Sequence, residues 1–509
     1  MTKRESWFVP GDLNAFFALF VDNVVNLVML SAILVYQFKM PQDFILTHMI
    51  PGTALGVMVG DLAYTWLACR GGRRMTAMPL GLDTPSTIGM AIAVIGPVFV
   101  ETGDPWTAWA VGIATLFIMG VFKLVISFFG DLVQKAIPLA ALLGSIAGVG
   151  LALLGLIPAL RIFSAPVAGM FALGIVIYAF VGGFRLPFGL PGALVAVLAG
   201  LAIYWIMALA GMSPAPGTHT ATLGLHLPVV DPGALASGFA GAVRFLPISI
   251  PFGLLTIVGG INTTASAKAA GDDYRTRDIL LIESIATMVA GFFGGVAQST
   301  PYIGHPAYKA MGARAGYTLL TGLVIGIGGM TGVLGLIVDY VPEVVVAPIL
   351  LFVGLAITDQ AFRATDRRHL TAVAFAIIPC LAYLVNIYTG QLAGAMAAGG
   401  LQLDQSLAAQ LGVMSILGNG FIVTALGWSA AMVFIIDKRP LALIVTFVIL
   451  AVFSLFGIIH SIAPGGAIYL PTIAGASKSI EISVAYLLTG TVLSIMLRFG
   501  AKHSTGSGL

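Results

Sequence analysis

The sequence predicts an all-α integral membrane protein of fourteen spans in a seven-plus-seven inverted repeat, with half-helices at spans 3 and 10 and two additional C-terminal spans. Three observations predict it: an extreme apolar composition, a one-sided distribution of Lys and Arg, and an internal repeat of proline-flanked segments. Of 509 residues, 59% are hydrophobic and 9% are charged, whereas soluble domains carry about 25% charged residues. Mean hydropathy is +1.02. A soluble multidomain enzyme is therefore excluded. Lys+Arg 24 against Asp+Glu 21 leaves a net +3, too weak and too scattered to call for nucleic acid as a partner.

Apolar runs place spans at 15–38, 44–68, 80–100, 106–130, 136–157, 163–182, 187–211, 244–267, 278–297, 302–313, 315–338, 343–360, 369–389, 410–436, 440–461 and 480–498. The tenth is too short to cross alone, and the third opens in a Gly/Pro-interrupted stretch, so both read as half-helices. With the N-terminus inside, nineteen Lys and Arg fall in inside loops. Only Lys39, Arg161, Arg244 and Lys478 fall outside, and Lys123 lies within a span. That asymmetry predicts a multi-pass protein of the cell inner (plasma) membrane with both termini cytoplasmic. The polar start, followed by a long apolar helix, reads as no removable signal peptide. Cys69 and Cys380 form neither a disulfide framework nor a metal motif and read as packing residues.

The repeat is visible in two pairs of segments. MPLGLDTPST and TPYIGHPAYK each hold a proline (Pro79, Pro301), a glycine (Gly81, Gly304), a polar residue (Asp83, His305) and a second proline (Pro85, Pro306) at a helix start. Pro138 to Gly144 and Pro348 to Gly354 share a second spacing. The offsets, 222 and 210 residues, pair span 3 with span 10 and span 5 with span 12. Seven is odd, so the copies are inverted, the build of many secondary transporters. Two half-helix N-termini near the midplane can hold a small polar or anionic solute with backbone N–H groups, which places the substrate site between 79–85 and 301–306.

Four stretches carry a family resemblance: GDLNAFFALFVDNVVNLVML; RRMTAMPLGLDTPSTIGM; LIESIATMVAGFFGG with STPYIGHPAYKAMGARAGYTLLTGL; and APILLFVGLAITDQAFRATDRRHLTAVAFAIIP. In this order they resemble the nucleobase/ascorbate transporter (nucleobase-cation symporter-2) family, most of all its hypoxanthine/guanine/xanthine/uracil permease branch. The resemblance implies a uracil-permease type fold with a core domain of 11–131 and 236–338 and a gate domain of 132–235 and 339–437. Residues 438–509 are then two additional spans and a short cytoplasmic tail. It also implies a homodimer and a permease moving a purine, xanthine or uracil by alternating access, in symport with H+ or Na+. This chain carries Gly259 where such permeases carry an acidic residue in span 8, and Gly304 and His305 where a second one follows the span 10 strand.

Intramembrane polar groups are the default functional candidates. Asp22, beside Asn23 and Asn26, either faces the site as a coupling group or bridges helices. Asp83, with Thr84, either contacts substrate or caps the half-helix. His305 is the mirrored residue and can bond a ligand, accept a proton or cap. Glu283 matches an acidic position that the family places beside the span 10 strand, and is the leading proton site. The substrate-binding candidates are thus Asp83, Thr84, Tyr302, Gly304, His305, Gly259, Asn262 and Phe17, the last by stacking on a planar ring. Proton or ion coupling falls to Glu283 and Asp22. Lys309 and Arg314 read as snorkelling anchors, and Asp61, His48, His460 and Lys123 read as structural. No HExxH, nucleophile–base pair or cofactor loop is present, so an enzyme, a metal and a cofactor are not expected. An alternative solute on the same fold is a small anion such as bicarbonate, sulfate or a carboxylate, held by helix dipoles and His305 if the acids turn away.

Overall fold

The computed structural model describes residues 8–71, 75–129, 137–184, 186, 192–212, 223–302, 304–398, 403–463, 466, 468–469, 471 and 477–503. Each of the sixteen apolar segments falls on a helix among them. Eight helices are long and apolar enough to cross a bilayer, and the bent pair Gln405–Gly418 and Phe421–Ile436 adds a ninth, all among the described residues. The chain divides into two compact units, 1–133 with 158–350, and 134–157 with 351–509. Residues 158–235, expected in the gate domain, thus cluster with the first unit.

The first unit is built around α1 (Gly11–Ala32), α2 (Ile50–Gly71), the strand β1 (Leu80–Leu82), α3 (Thr84–Met90) and α4 (Pro105–Ile126). It continues with α5 (Leu246–Ala269), α6 (Thr276–Phe292), the strand β2 (Ser299–Pro301), α7 (His305–Ala310) and α8 (Gly316–Met330). α2 is apolar all round because it is enclosed: it packs between α6 and α8. Gly52, Gly56 and Gly60, four apart, let the 286–295 stretch and β1 come close to it. Any side chain there would overlap Ala290, Leu80 or backbone, the small-residue contact by which membrane helices approach.

β1 and β2 pair antiparallel, Leu80 with Pro301, Gly81 with Thr300 and Leu82 with Ser299. The pairing extends through Tyr302 N–H to Pro79 O (2.8 Å) and Asp83 N–H to Gln298 O (3.0 Å). Two strands alone have free outer edges, which is costly away from water. On the outer edge of β1, Asn23 of α1 accepts the Leu82 N–H at 3.0 Å. Asp83 is the N-cap of α3, accepting the Ser86 N–H at 3.0 Å, with Pro85 next to the start of the helix. α3 runs on through a wide turn to Thr102, where Gly103 ends it with φ 66°.

The second unit is helical and bent at Gly420, whose φ is 69°, so that two helices meet at 69°. Trp428 donates to the Tyr486 hydroxyl at 2.7 Å, and that hydroxyl lies 2.7 Å from His460 Nε2. These three residues line an apolar cavity of about 620 Å³ within this unit. Cys380 is buried against Gly148, and Cys69, in the first unit, is exposed.

Candidate functional site

The strand crossing gathers most of the polar groups expected to do chemistry. Asp83 is buried beside β1 and holds the α3 N-terminus, and the Gln298 amide lies 3.5 Å from its Oδ2. Across from it is Lys123 of α4, fully buried. The Lys123 ammonium is 2.6 Å from Glu283 Oε1 on α6, and it donates to Thr287 Oγ1 (3.1 Å), Gln298 Oε1 (3.1 Å) and Ser299 O (3.4 Å). Glu283 therefore sits next to the span 10 strand, and it is engaged by Lys123, which is part of this polar cluster and not a packing residue alone. An intramembrane lysine was the available signal.

Asp22 of α1 turns toward β1. Its Oδ2 lies 3.1 Å from the position a Cβ on Gly81 would take, so a side chain there would crowd the carboxylate. Its carboxylate is within electrostatic reach of Asp83 and makes no hydrogen bond or ion pair to a described residue, and the residue is half-buried. Gly259 of α5 opens onto free space, since a Cβ on it would meet nothing within 4 Å. Thr263, one turn on, donates to Gly259 O at 2.8 Å. Asn262 lies on the same helix, and its side chain is outside the described set. Thr84 opens α3 and is half-buried. The Tyr302 ring is 43% exposed and meets Tyr308 edge-on at 6.2 Å, with Gly304 packed against both rings. Phe17 is 55% exposed and lies 5.1 Å from Phe16, ring to ring.

His305 is the residue that the structure places elsewhere. Its ring is buried and Nε2 lies 3.2 Å from Thr76 O and 3.3 Å from Asp272 Oδ2. Asp272 also binds Lys309 at 2.8 Å, so Lys309 is ion-paired rather than only an anchor. Tyr274 donates to the same Thr76 carbonyl at 2.6 Å. His305 thus ties α7 to the chain entering β1 and to the loop after α5, while Asp22 and Asp83 stay at the strands. Among the described residues no group of three or more His, Cys, Asp or Glu is placed to hold a metal ion.

Two short buried strands crossing inside a bundle of apolar helices, each followed by a helix that starts within the unit, define a multi-pass membrane protein with the fold of inverted-repeat transporters. No protein-family model and no curated protein sequence matches the chain. Solved structures do match it. The chain is similar to the transmembrane domain of a cyanobacterium bicarbonate transporter, BicA, with 18% identity and TM-score 0.53 over 75% of this chain and 96% of that one. It is also similar to SLC26A9, with 12% identity and TM-score 0.53 over 73% of this chain and 62% of that one. At these identities the likeness is one of fold. The all-α, uracil-permease type membrane fold read from the sequence is the one observed, with eight or nine helices long enough to cross among the described residues.

Proposed function

We propose that the chain is a secondary transporter moving a small anion of the bicarbonate, sulfate or carboxylate class by alternating access, with a cation accompanying it. The observation that carries this reading is the Lys123–Glu283 pair at 2.6 Å. It places a buried ammonium at the strand crossing and pairs the charge of Glu283 with Lys123 rather than with a solute. Asp83 is engaged in the same way, by the α3 cap. The fold likeness to a bicarbonate transporter agrees with this solute class. Asp22 remains, a carboxylate beside Gly81 without a partner among the described residues. An anion entering next to it is repelled unless Asp22 holds a proton or a metal cation, and so the reading requires cation coupling.

A second reading, a permease for a purine, xanthine or uracil, is favoured by that same Asp22. An ionised carboxylate is an acceptor only and suits the N–H edge of a nucleobase. A thermal-shift panel separates the two, because a ligand of the folded state raises the melting temperature by mass action. Bicarbonate, sulfate and oxalate in Na+ or K+ buffers at several pH values are compared with uracil, xanthine and hypoxanthine. Stabilisation by an anion that needs Na+ or low pH, matched by uptake into proteoliposomes, supports the anion reading. Stabilisation only by bases overturns it.

A further inference from the structure

Asp61 and Glu283 are equivalent residues of the two repeats. Asp61 stands eighteen residues before Pro79, and Glu283 stands eighteen before Pro301. Each lies on the helix that leads into its strand, α2 into β1 and α6 into β2. The helix packed across each one differs in what it supplies. α4 gives Glu283 a lysine. α8 gives Asp61 Gly322, placed so close that a Cβ on it would come 2.9 Å from Asp61 Cβ.

Asp61 is 0% exposed, and no described residue donates a hydrogen bond or supplies a cation to either carboxyl oxygen. The titratable groups within electrostatic reach are Tyr64 on α2, Tyr308 on α7 and Tyr317 on α8. All are phenols, uncharged near neutral pH. Tyr64 and Tyr317 donate elsewhere, to Ile279 O (2.9 Å) and Ala77 O (2.7 Å). The nearby hydroxyls are committed too. Thr65 lies 2.8 Å from both Asp61 O and Thr318 Oγ1, and Thr321 donates to Tyr317 O at 2.9 Å. A bare carboxylate is not stable in such a place, and a metal cation would need several oxygen ligands that are not on offer. A proton needs none.

The outer edge of β1 says what that proton does. Asn23 closes a bond to the Leu82 N–H, whereas the Leu80 N–H faces Asp61 without reaching hydrogen-bond geometry. Once ionised, Asp61 is a pure acceptor and draws in that N–H. We propose that Asp61 is a proton-binding site separate from the solute site, protonated in this conformation and ionised in another, whose charge pulls β1, and with it the Asp83 cap, toward α2. The inference deepens the transporter reading and rests on it for its place in a cycle, but not for the proton itself.

The test is infrared spectroscopy of the full-length purified protein, following the C=O stretch of protonated carboxyl groups at neutral pH without solute. A protonated-acid band is expected in the wild type, with a component that is lost in Asp61→Asn, retained in Asp22→Asn and displaced in Asp61→Glu. The Glu variant keeps the question answerable if Asp61→Asn does not fold. In proteoliposomes, Asp61→Asn is expected to lose uptake driven by a pH gradient, assayed with radiolabelled sulfate and radiolabelled uracil, while retaining exchange. A wild-type band unchanged in both Asp61 variants overturns the proposal, as does Na+-dependent thermal stabilisation that Asp61→Asn removes. If neither solute moves but the band behaves as expected, the transport reading fails and the proton site stands.

Discussion

Lys123 on α4 and Glu283 on α6, 160 positions apart in sequence, meet at 2.6 Å with both side chains fully buried. A buried ion pair is weak evidence of stability by itself, because desolvation of both charges offsets much of their attraction. Breaking it is another matter. Lys123→Met leaves Glu283 without its cation and is expected to cost about 3–5 kcal/mol. The double variant Lys123→Met, Glu283→Met removes both charges and is expected to be more stable than Lys123→Met alone. Thermal unfolding of the wild type, Lys123→Met, Glu283→Met and the double variant in one detergent checks this. Additive losses would show that the two charges do not interact.

Two adjacent glycines on α5 separate an open surface from a packed one. A Cβ on Gly259 meets nothing within 4 Å, whereas one on Gly260 falls 2.6 Å from Leu280 Cδ2 and 3.0 Å from Glu283 Oε2. Gly260→Ala is therefore expected to destabilise by about 1–3 kcal/mol through overpacking. Gly259→Ala is expected to leave the melting temperature near wild type and to weaken the ligand-induced shift, because its methyl group enters the space where a solute would lie. Equal stability losses in the two variants would place Gly259 in packed interior and remove it from the site.

The strands and half-helix starts were legible because prolines act locally: Pro79 and Pro85 constrain their own backbone and that of the residue before them, and Pro301 and Pro306 do the same. Asp83 as a cap was legible for the same reason. The Lys123–Glu283 contact was not, since it depends on how α4 packs on α6, and no local pattern encodes that packing. The equal spacing of Asp61 and Glu283 from their prolines is written in the sequence, but its meaning depends on the helices opposite them. His305 shows the converse limit: a repeat fixes a residue's place on the backbone, while the direction of its ring is set by Thr76 and Asp272.

Asp104, in the loop before α4, makes a pH-dependent contribution. Its carboxylate accepts from Trp106 N–H (3.1 Å), Thr107 N–H (3.0 Å) and the Thr107 hydroxyl (2.6 Å), and these bonds, that of the hydroxyl foremost, hold its pKa below the usual 3.8. A carboxyl with a depressed folded-state pKa contributes stability above its unfolded pKa and loses it as pH falls through the folded one. Asp104→Ala is expected to cost about 1 kcal/mol at neutral pH. The gap to wild type should narrow as the pH is taken below 3.8. A gap that persists at low pH would assign the loss to packing rather than to the charge.

His305→Ala decides whether the imidazole serves the solute or the scaffold. In the structure its Nε2 is occupied by Thr76 O and Asp272, and removing the ring leaves Asp272 with Lys309 and Thr76 O with Tyr274. Those partners keep the network from losing every bond, so the expected cost is about 1–3 kcal/mol, from one buried polar contact and the space left by the ring. Whichever solute stabilises the wild type should stabilise His305→Ala by a similar increment, because Asp22, Asp83 and Lys123 are untouched. The thermal shift with and without that solute measures both quantities on one sample. A variant that melts like wild type but no longer responds to the solute would show that the ring leaves Asp272 to bind it, and would return His305 to the transport site.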